Sequence, residues 1–260
     1  MLHIADLNVR LGRAEVLTGI DLDAAPGEVT VILGPNGSGK STLLRAVSGE
    51  IAYAGSVQLA GHEVAQTAPW RLAALRGVME QASTVAFPFT VAEVVRLGLQ
   101  SGIEAGEEIV AAALAEVGLS ALAHRPIQEL SGGQQARAHL ARVRAQVWHP
   151  SGHAGPRWLL LDEPVASLDI GHQLEVMAIL RRFAQGGGGV VAVLHDLNLA
   201  ASVADRIVLM AAGRIEAAGP PEAVLRDELL SRVYGCPLRV GVAPARGPWV
   251  LPLPIEALSA

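Results

Sequence analysis

The chain is poor in the features that would assign it to several common classes. It has one cysteine, Cys236, in 260 residues, so no internal disulfide forms and the composition suits a reducing compartment. Cys236 reads as an incidental thiol near the C-terminal end. No apolar run approaches the 18 or so residues of a spanning helix, although apolar residues make up 51% and mean hydropathy is +0.37. The runs at 190–194 and 207–210 have the length of buried strands. Positive charge is scarce: the net charge is −5 and the pI about 5.9, which gives no electrostatic footprint for nucleic acid, and none is expected as a partner. Met1-Leu2-His3-Ile4-Ala5-Asp6 lacks a basic stretch leading into an apolar core, so no secretory leader is expected. Aromatics stand at 3%. Lysine is the scarcest cation: there is one, Lys40, and every other long cationic side chain is an arginine.

That lysine sits in Gly34-Pro35-Asn36-Gly37-Ser38-Gly39-Lys40-Ser41-Thr42. A compact ammonium on a flexible stem fits between two phosphates where a planar guanidinium does not. GxxxxGK[ST] after the apolar run 29–33 is the pattern of a phosphate-binding loop entering a helix. Its glycines let backbone N–H groups curl around phosphates, and the following helix turns its positive end to the same charge. Lys40 is expected to bridge the β- and γ-oxygens of a nucleoside triphosphate, and the Ser41 hydroxyl to ligate Mg²⁺.

Strand patterns occupy most of the first 60 residues, at 3–9, 15–22, 29–33 and 56–59, with a helix over about 41–48. From about 71 to 146 the pattern turns alanine-rich and helical, notably at 91–97, 109–117 and 133–147, punctuated by Pro88 and Pro126. Strand character returns at 158–161, 190–194, 206–210 and 214–217, with a helix over 172–183 and a short one from Pro221. Gly186–Gly189 reads as a helix stop and flexible turn. Strands at both ends around a helical block imply one unit over 1–260: an α/β core with an antiparallel β portion on the N-terminal side and a helical subdomain inserted over about 76–150.

Trp158-Leu159-Leu160-Leu161-Asp162-Glu163-Pro164 reads as a buried parallel strand presenting two carboxylates at its C-terminal end. Asp162 is placed to hold the Mg²⁺ shell and Glu163 to polarise an attacking water. Taken alone, such acids are as easily solvated strand ends; beside the Lys40 loop they acquire a role. Leu130-Ser131-Gly132-Gly133-Gln134 opens a long helix, with Ser131 as N-cap and two glycines exposing N–H groups, a second anion site. One subunit has no evident need of two phosphate sites so far apart in sequence. Two subunits facing head to tail would use both.

With these motifs in this order, the chain resembles the ATP-binding subunits of ABC transporters over essentially its whole length. The resemblance implies a P-loop NTPase (RecA-like) core, ATP and Mg²⁺, hydrolysis coupled to transport, and a homodimer with two ATP molecules at its interface. The dimer would dock on integral-membrane permease subunits at the cytoplasmic face of the inner membrane, and through them serve a substrate-binding protein. It also implies that Gln81 touches Mg²⁺ and senses the γ-phosphate, that Ser167-Leu168-Asp169 crosses the dimer interface, and that His195 contacts the γ-phosphate. Without it, His195-Asp196 is merely a strand-end pair. Such proteins usually stack an aromatic residue on adenine; here the corresponding position is Leu11 or a neighbour in Val9-Arg10-Leu11-Gly12, none of them aromatic, so aliphatic packing and weaker base discrimination are expected.

The stretch from Gln81 through Phe87-Pro88-Phe89 to Gly98, and His195-Asp196-Leu197-Asn198-Leu199-Ala200-Ala201, are similar to importers of haem, ferric siderophores and cobalamin. The loop 148–157 most resembles haemin-import ATPases. Phe87 and Phe89 would line the groove that receives a permease helix, although core packing explains them equally well. His149 and His153 could hold a metal or haem, but two ligands on a flexible loop lose much entropy on ordering, and a solvated loop is the simpler reading. The chain stops soon after Trp249, so no added regulatory domain is expected. The rival readings are a small-molecule kinase, which has no use for Leu130–Gln134, a soluble ABC protein of DNA repair or translation, and a non-catalytic nucleotide-gated module.

Overall fold

Alternation of buried and exposed residues begins at once. In β1 (Leu2–Leu11), Leu2, Ile4, Leu7 and Val9 turn inward, and in β2 (Ala14–Ala24) so do Leu17, Ile20, Leu22 and Ala24. The two pair antiparallel, with register shifts around Asp6, whose φ of 45° marks a bulge. The computed structural model describes residues 1–80, 87–102, 106–153 and 155–252. β3 (Val29–Leu33) is buried throughout and leads through the glycine-rich loop into α1 (Lys40–Val47). β4 (Ala54–Leu59) and β5 (His62–Glu63) complete a four-stranded antiparallel sheet in the order β2-β1-β4-β5.

The next segment corrects the sequence reading. Residues from 71 onward are expected to be helical, and the inserted block to start near 76. The chain does form α2 (Pro69–Leu75), but Arg76–Met79 is a strand, β6, paired in parallel with a strand 82 residues later. Helices then follow: α3 (Val91–Ser101), α4 (Glu107–Glu116) and α5 (Gly132–Gln146), which pack on one another. Close packing explains several glycines here. A Cβ on Gly77 would lie 2.7 Å from Val143 Cγ1, and one on Gly98 2.1 Å from the Arg142 carbonyl oxygen.

A short ribbon, β7 (Ser151–Gly152) and β8 (Gly155–Pro156), precedes β9 (Trp158–Asp162). Then come α6 (Ile170–Gln185), β10 (Gly189–Val193), α7 (Leu197–Val203), β11 (Arg206–Ala211), β12 (Arg214–Gly219), α8 (Pro221–Val224) and α9 (Asp227–Tyr234). The second sheet runs β12-β11-β3-β10-β9-β6, parallel except for β12.

Its central strands β3, β9 and β10 are buried at every residue, as a parallel sheet covered on two sides must be. Val31, Leu159, Ala192 and Leu209 face one apolar core with the helices α3, α5 and α6, while Ile32, Leu160, Val193 and Met210 face a second core shared with α1 and the antiparallel sheet. Strand periodicity of two thus divides one sheet between two cores. The result is the three-layer α/β arrangement of a P-loop NTPase, with the C-terminal ends of β3, β9 and β10 gathered at one edge.

Candidate active site

The loop after β3 is shaped by glycines that no other residue replaces cheaply. Gly34, Gly37 and Gly39 have φ of 149°, 78° and 100°, values that burden any residue with a Cβ. A Cβ on Gly34 would lie 2.2 Å from the Met210 carbonyl oxygen. Gly39 is the N-cap of α1 and brings no side-chain cap, so the first N–H groups of the helix remain available to an anion. Lys40 is 6% exposed; its Nζ donates to the carbonyls of Gly34 (2.9 Å) and Pro35 (3.0 Å). Burial draws the ammonium pKa below its ordinary value, while Glu163 and then Asp162 pull it the other way. Asn36, Gly37, Gly39, Lys40, Ser41 and Thr42 line a concavity of about 470 Å³ that Val16, Glu163 and His195 complete. Ser38, within the loop, is buried.

The acidic end of β9 stands opposite. Val193 of β10 pairs with Asp162 of β9, which places the next residues of both strands side by side. Glu163 donates its backbone N–H to the Val193 carbonyl at 3.2 Å and has a left-handed φ of 52°, a strain of the kind found where a side chain must be aimed. His195 Nε2 lies 2.5 Å from Glu163 Oε1. Asp162 is 6% exposed and its Oδ1 has no hydrogen-bond partner. Burial raises its pKa, and the Ser41 hydroxyl, hydrogen-bonding the carboxyl group, partly offsets this. A buried carboxylate oxygen lacking a donor, beside a hydroxyl and near a triphosphate loop, is a donor set of the hard-oxygen kind that Mg²⁺ takes. Ser41 and Asp162 also line a concavity of about 340 Å³ reaching Met79 and Glu80, at the end of β6. Gln81 lies outside the described residues.

Ser131 begins α5 as its sequence context predicts. Its Oγ accepts the Gln134 N–H (3.3 Å) and the Gln134 Oε1 accepts the Ser131 N–H (3.0 Å), a capping box. The N–H groups of Gly132 and Gly133, in the first turn, have no intrahelical acceptor. A Cβ on Gly133 would sit 2.8 Å from the Ser167 carbonyl oxygen. Ser131, Gly132, Gly133 and Gln134 therefore share one concavity of about 460 Å³ with Ser167 and Asp169. Asp169 caps α6 through the His172 N–H (3.0 Å) and lies 2.8 Å from His172 Nδ1. This concavity has no lining residue in common with that of Lys40. Within one chain, the two expected phosphate sites are separate.

Other expectations divide. Phe87 is 69% exposed, whereas Phe89 packs against the core with the two rings edge to face at 6.2 Å. His149 and His153 lie exposed beside the β7–β8 ribbon, and the described residues contain no cluster of three or more His, Cys, Asp or Glu able to hold a metal. Leu11 is exposed and pairs with Ala14 across a two-residue turn. Val16, not Leu11, lines the Lys40 concavity. Sequence reasoning missed Val16; the signal was the alternation of β2, which puts it on the opposite face from the buried Leu17. Arg137 and His172, which line the Ser131 concavity, carry no motif that could have revealed them.

Comparison with known proteins bears on the family. The family described as ABC transporter matches residues 17–166. The chain is 54% identical over 253 residues to the hemin import ATP-binding protein HmuV of Roseobacter denitrificans, covering 96% of this chain and 97% of that protein. It is 56% identical to the protein of the same name from Jannaschia sp., covering 94% and 91%. Among solved structures, one described as the ATP binding subunit of an ABC transporter superposes with a TM-score of 0.79 at 20% identity, covering 90% of this chain and 98% of the other. That last likeness concerns the fold.

Proposed function

Because the chain belongs to the ABC transporter family, as its ATP-hydrolysing subunit, we propose that it energises the import of haem and that the residues lining the two glycine-rich concavities divide the work of binding and hydrolysis between them. The observation that carries the reading is the joining of Lys40, Glu163 and His195 in one concavity, on a chain whose relatives named for hemin import align over nearly its full length.

ATP is the substrate. The loop Gly34–Thr42 and the open N-terminus of α1 receive its β- and γ-phosphates, and Lys40 exchanges its carbonyl partners for phosphate oxygens. Val16, which lines this concavity, offers the base an aliphatic wall. Glu163 orients a water in line with the γ-phosphorus and takes its proton. The new bond joins water oxygen to phosphorus, the bond to the bridging β–γ oxygen breaks, and ADP and inorganic phosphate leave. His195 Nε2–H holds the Glu163 carboxylate in position and is within reach of the γ-phosphate once it arrives. Ser41, Asp162 and Gln81 would hold Mg²⁺, which when bound neutralises charge on the phosphate oxygens.

The separateness of the Ser131 and Lys40 concavities supports a head-to-tail homodimer. Ser131, Gly132, Gly133 and Gln134 of each copy would close on the nucleotide held by the other, with Asp169 crossing between them. As an importer ATPase the subunit is membrane-associated and works with permease subunits; we place it on the cytoplasmic face, with a substrate-binding protein feeding the permease from the far side. Among the described residues no helix is long and apolar enough to cross a membrane. Exposed Phe87 is suited to anchor a permease helix.

The test is ATP hydrolysis by the subunit reconstituted with its permease and binding protein in vesicles. Haemin should stimulate phosphate release and a ferric siderophore should not. Stimulation by the siderophore alone would reassign the cargo, and the absence of any hydrolysis would remove the catalytic roles.

A further inference from the structure

The phosphate loop is braced from behind by a turn far away in sequence. Ala212 and Gly213, joining β11 to β12, have φ of 46° and 77°, and Ala211 pairs directly with Arg214. That is a two-residue hairpin turn with both central residues left-handed. Gly213 donates its N–H to the carbonyl of Ser38, inside the phosphate loop, and accepts the N–H of Thr18 on β2, both at 3.1 Å. One residue thus ties the loop to the strand that carries Val16.

The fit leaves no room for a side chain. A Cβ on Gly213 would lie 2.3 Å from the Val16 carbonyl oxygen and 3.6 Å from Leu17 Cα. From the other side, a Cβ on Gly39 would meet Leu17 Cδ2 at 2.6 Å, with Gly213 Cα only 3.7 Å away. Three backbone segments therefore meet at glycines. Neither Glu163 nor His195 takes part: they sit on the ends of β9 and β10 and bond each other.

We propose that Gly213 is a positioning residue for ATP, fixing the distance between the phosphate loop and the Val16 wall and so setting nucleotide affinity rather than the rate of the chemical step. The proposal rests on ATP occupying the Lys40 concavity. Displacing β2 relative to Ser38 moves the wall away from the phosphates, so the two ends of the nucleotide can no longer be held together at full strength.

The test compares two turn glycines in the full chain. Gly61 also has a positive φ, 82°, but a Cβ there would meet nothing within 4 Å. Gly61→Ala therefore reports left-handed backbone strain alone, whereas Gly213→Ala adds the clash. Gly213→Asn is the variant to use should the alanine fail to fold, because asparagine tolerates the left-handed region while keeping the Cβ. Gly213→Ala or Gly213→Asn should weaken ATP binding by about tenfold in titration calorimetry and raise KM to match, with kcat within roughly twofold of the parent. Gly61→Ala should leave both unchanged. If the Gly213 variants bind ATP as tightly as Gly61→Ala, or lose kcat with KM intact, the proposal is overturned. Lys40→Ala separates this from the underlying reading: ATP binding that survives it would mean the nucleotide sits elsewhere, whatever Gly213 does.

Discussion

Two carboxylates, adjacent in the chain, stand in different surroundings. Glu163 points to His195 at the edge of the concavity, while Asp162 is buried with an unpartnered oxygen. Glu163→Gln keeps a group able to bond His195 but removes the proposed base, so phosphate release should fall about 100-fold or more while ATP binding persists; a variant with parental turnover would take Glu163 out of this role. Asp162 behaves differently. Its pKa is raised by burial, so ionising it costs more in the folded chain than in the unfolded one. That penalty is present above the raised folded pKa and fades as pH falls through it. Asp162→Asn should therefore raise the melting temperature of the nucleotide-free protein at neutral pH by roughly 2–4 °C per kcal/mol relieved, while abolishing hydrolysis. The gain should shrink in acid, where the parent carboxyl is already neutral. Scanning calorimetry at two pH values decides it, and a lower melting temperature at pH 7 would mean that attraction to Lys40 outweighs desolvation.

Among the elements, those whose signals are local could be read from the chain. The Lys40 loop and the Ser131 cap need particular residues at fixed offsets, so their types survive in the sequence. β6 could not be read this way. It has four residues, two of them Arg76 and Gly77, and its register comes from parallel pairing with β9, which no neighbouring residue encodes. Gly77 is there because α5 packs directly against the strand, and glycine in a four-residue run looks like a turn. Val16 and Gly213 escaped for the same reason: their importance arises where distant segments touch. Gly133 can be tested as a contact of this sort. A Cβ there would press on the Ser167 carbonyl and shift the 167–169 loop, so Gly133→Ala should lower turnover by roughly an order of magnitude without changing ATP affinity at the Lys40 loop. Loss of affinity that persists at dilutions where the chain is a single copy would argue that the Ser131 concavity touches the nucleotide within the same chain.

For the whole molecule, the separation of the two concavities has kinetic consequences. If each copy completes its neighbour's site, hydrolysis per subunit should rise with protein concentration until the dimer saturates. Activity independent of dilution would show that one copy suffices. The Glu163→Gln variant should double its mass in light scattering when given ATP and Mg²⁺, and return to single copies when a chelator removes the cation. A mass that never changes would leave the head-to-tail arrangement without support. The α/β layering and the helical segment between β6 and β9 were foreseeable from the order of strand and helix patterns. The seam between them was not, because a strand of the central sheet is spliced between two helices.

The β7–β8 ribbon feeds the start of β9, while Asp162 and Glu163, the carboxylates proposed to act on ATP, stand at its finish, roughly 16 Å along at about 3.3 Å per residue. A fluorophore or affinity tag spliced into that ribbon would ride on the rear of β9, giving experimenters a handle at the end of the strand away from the proposed site.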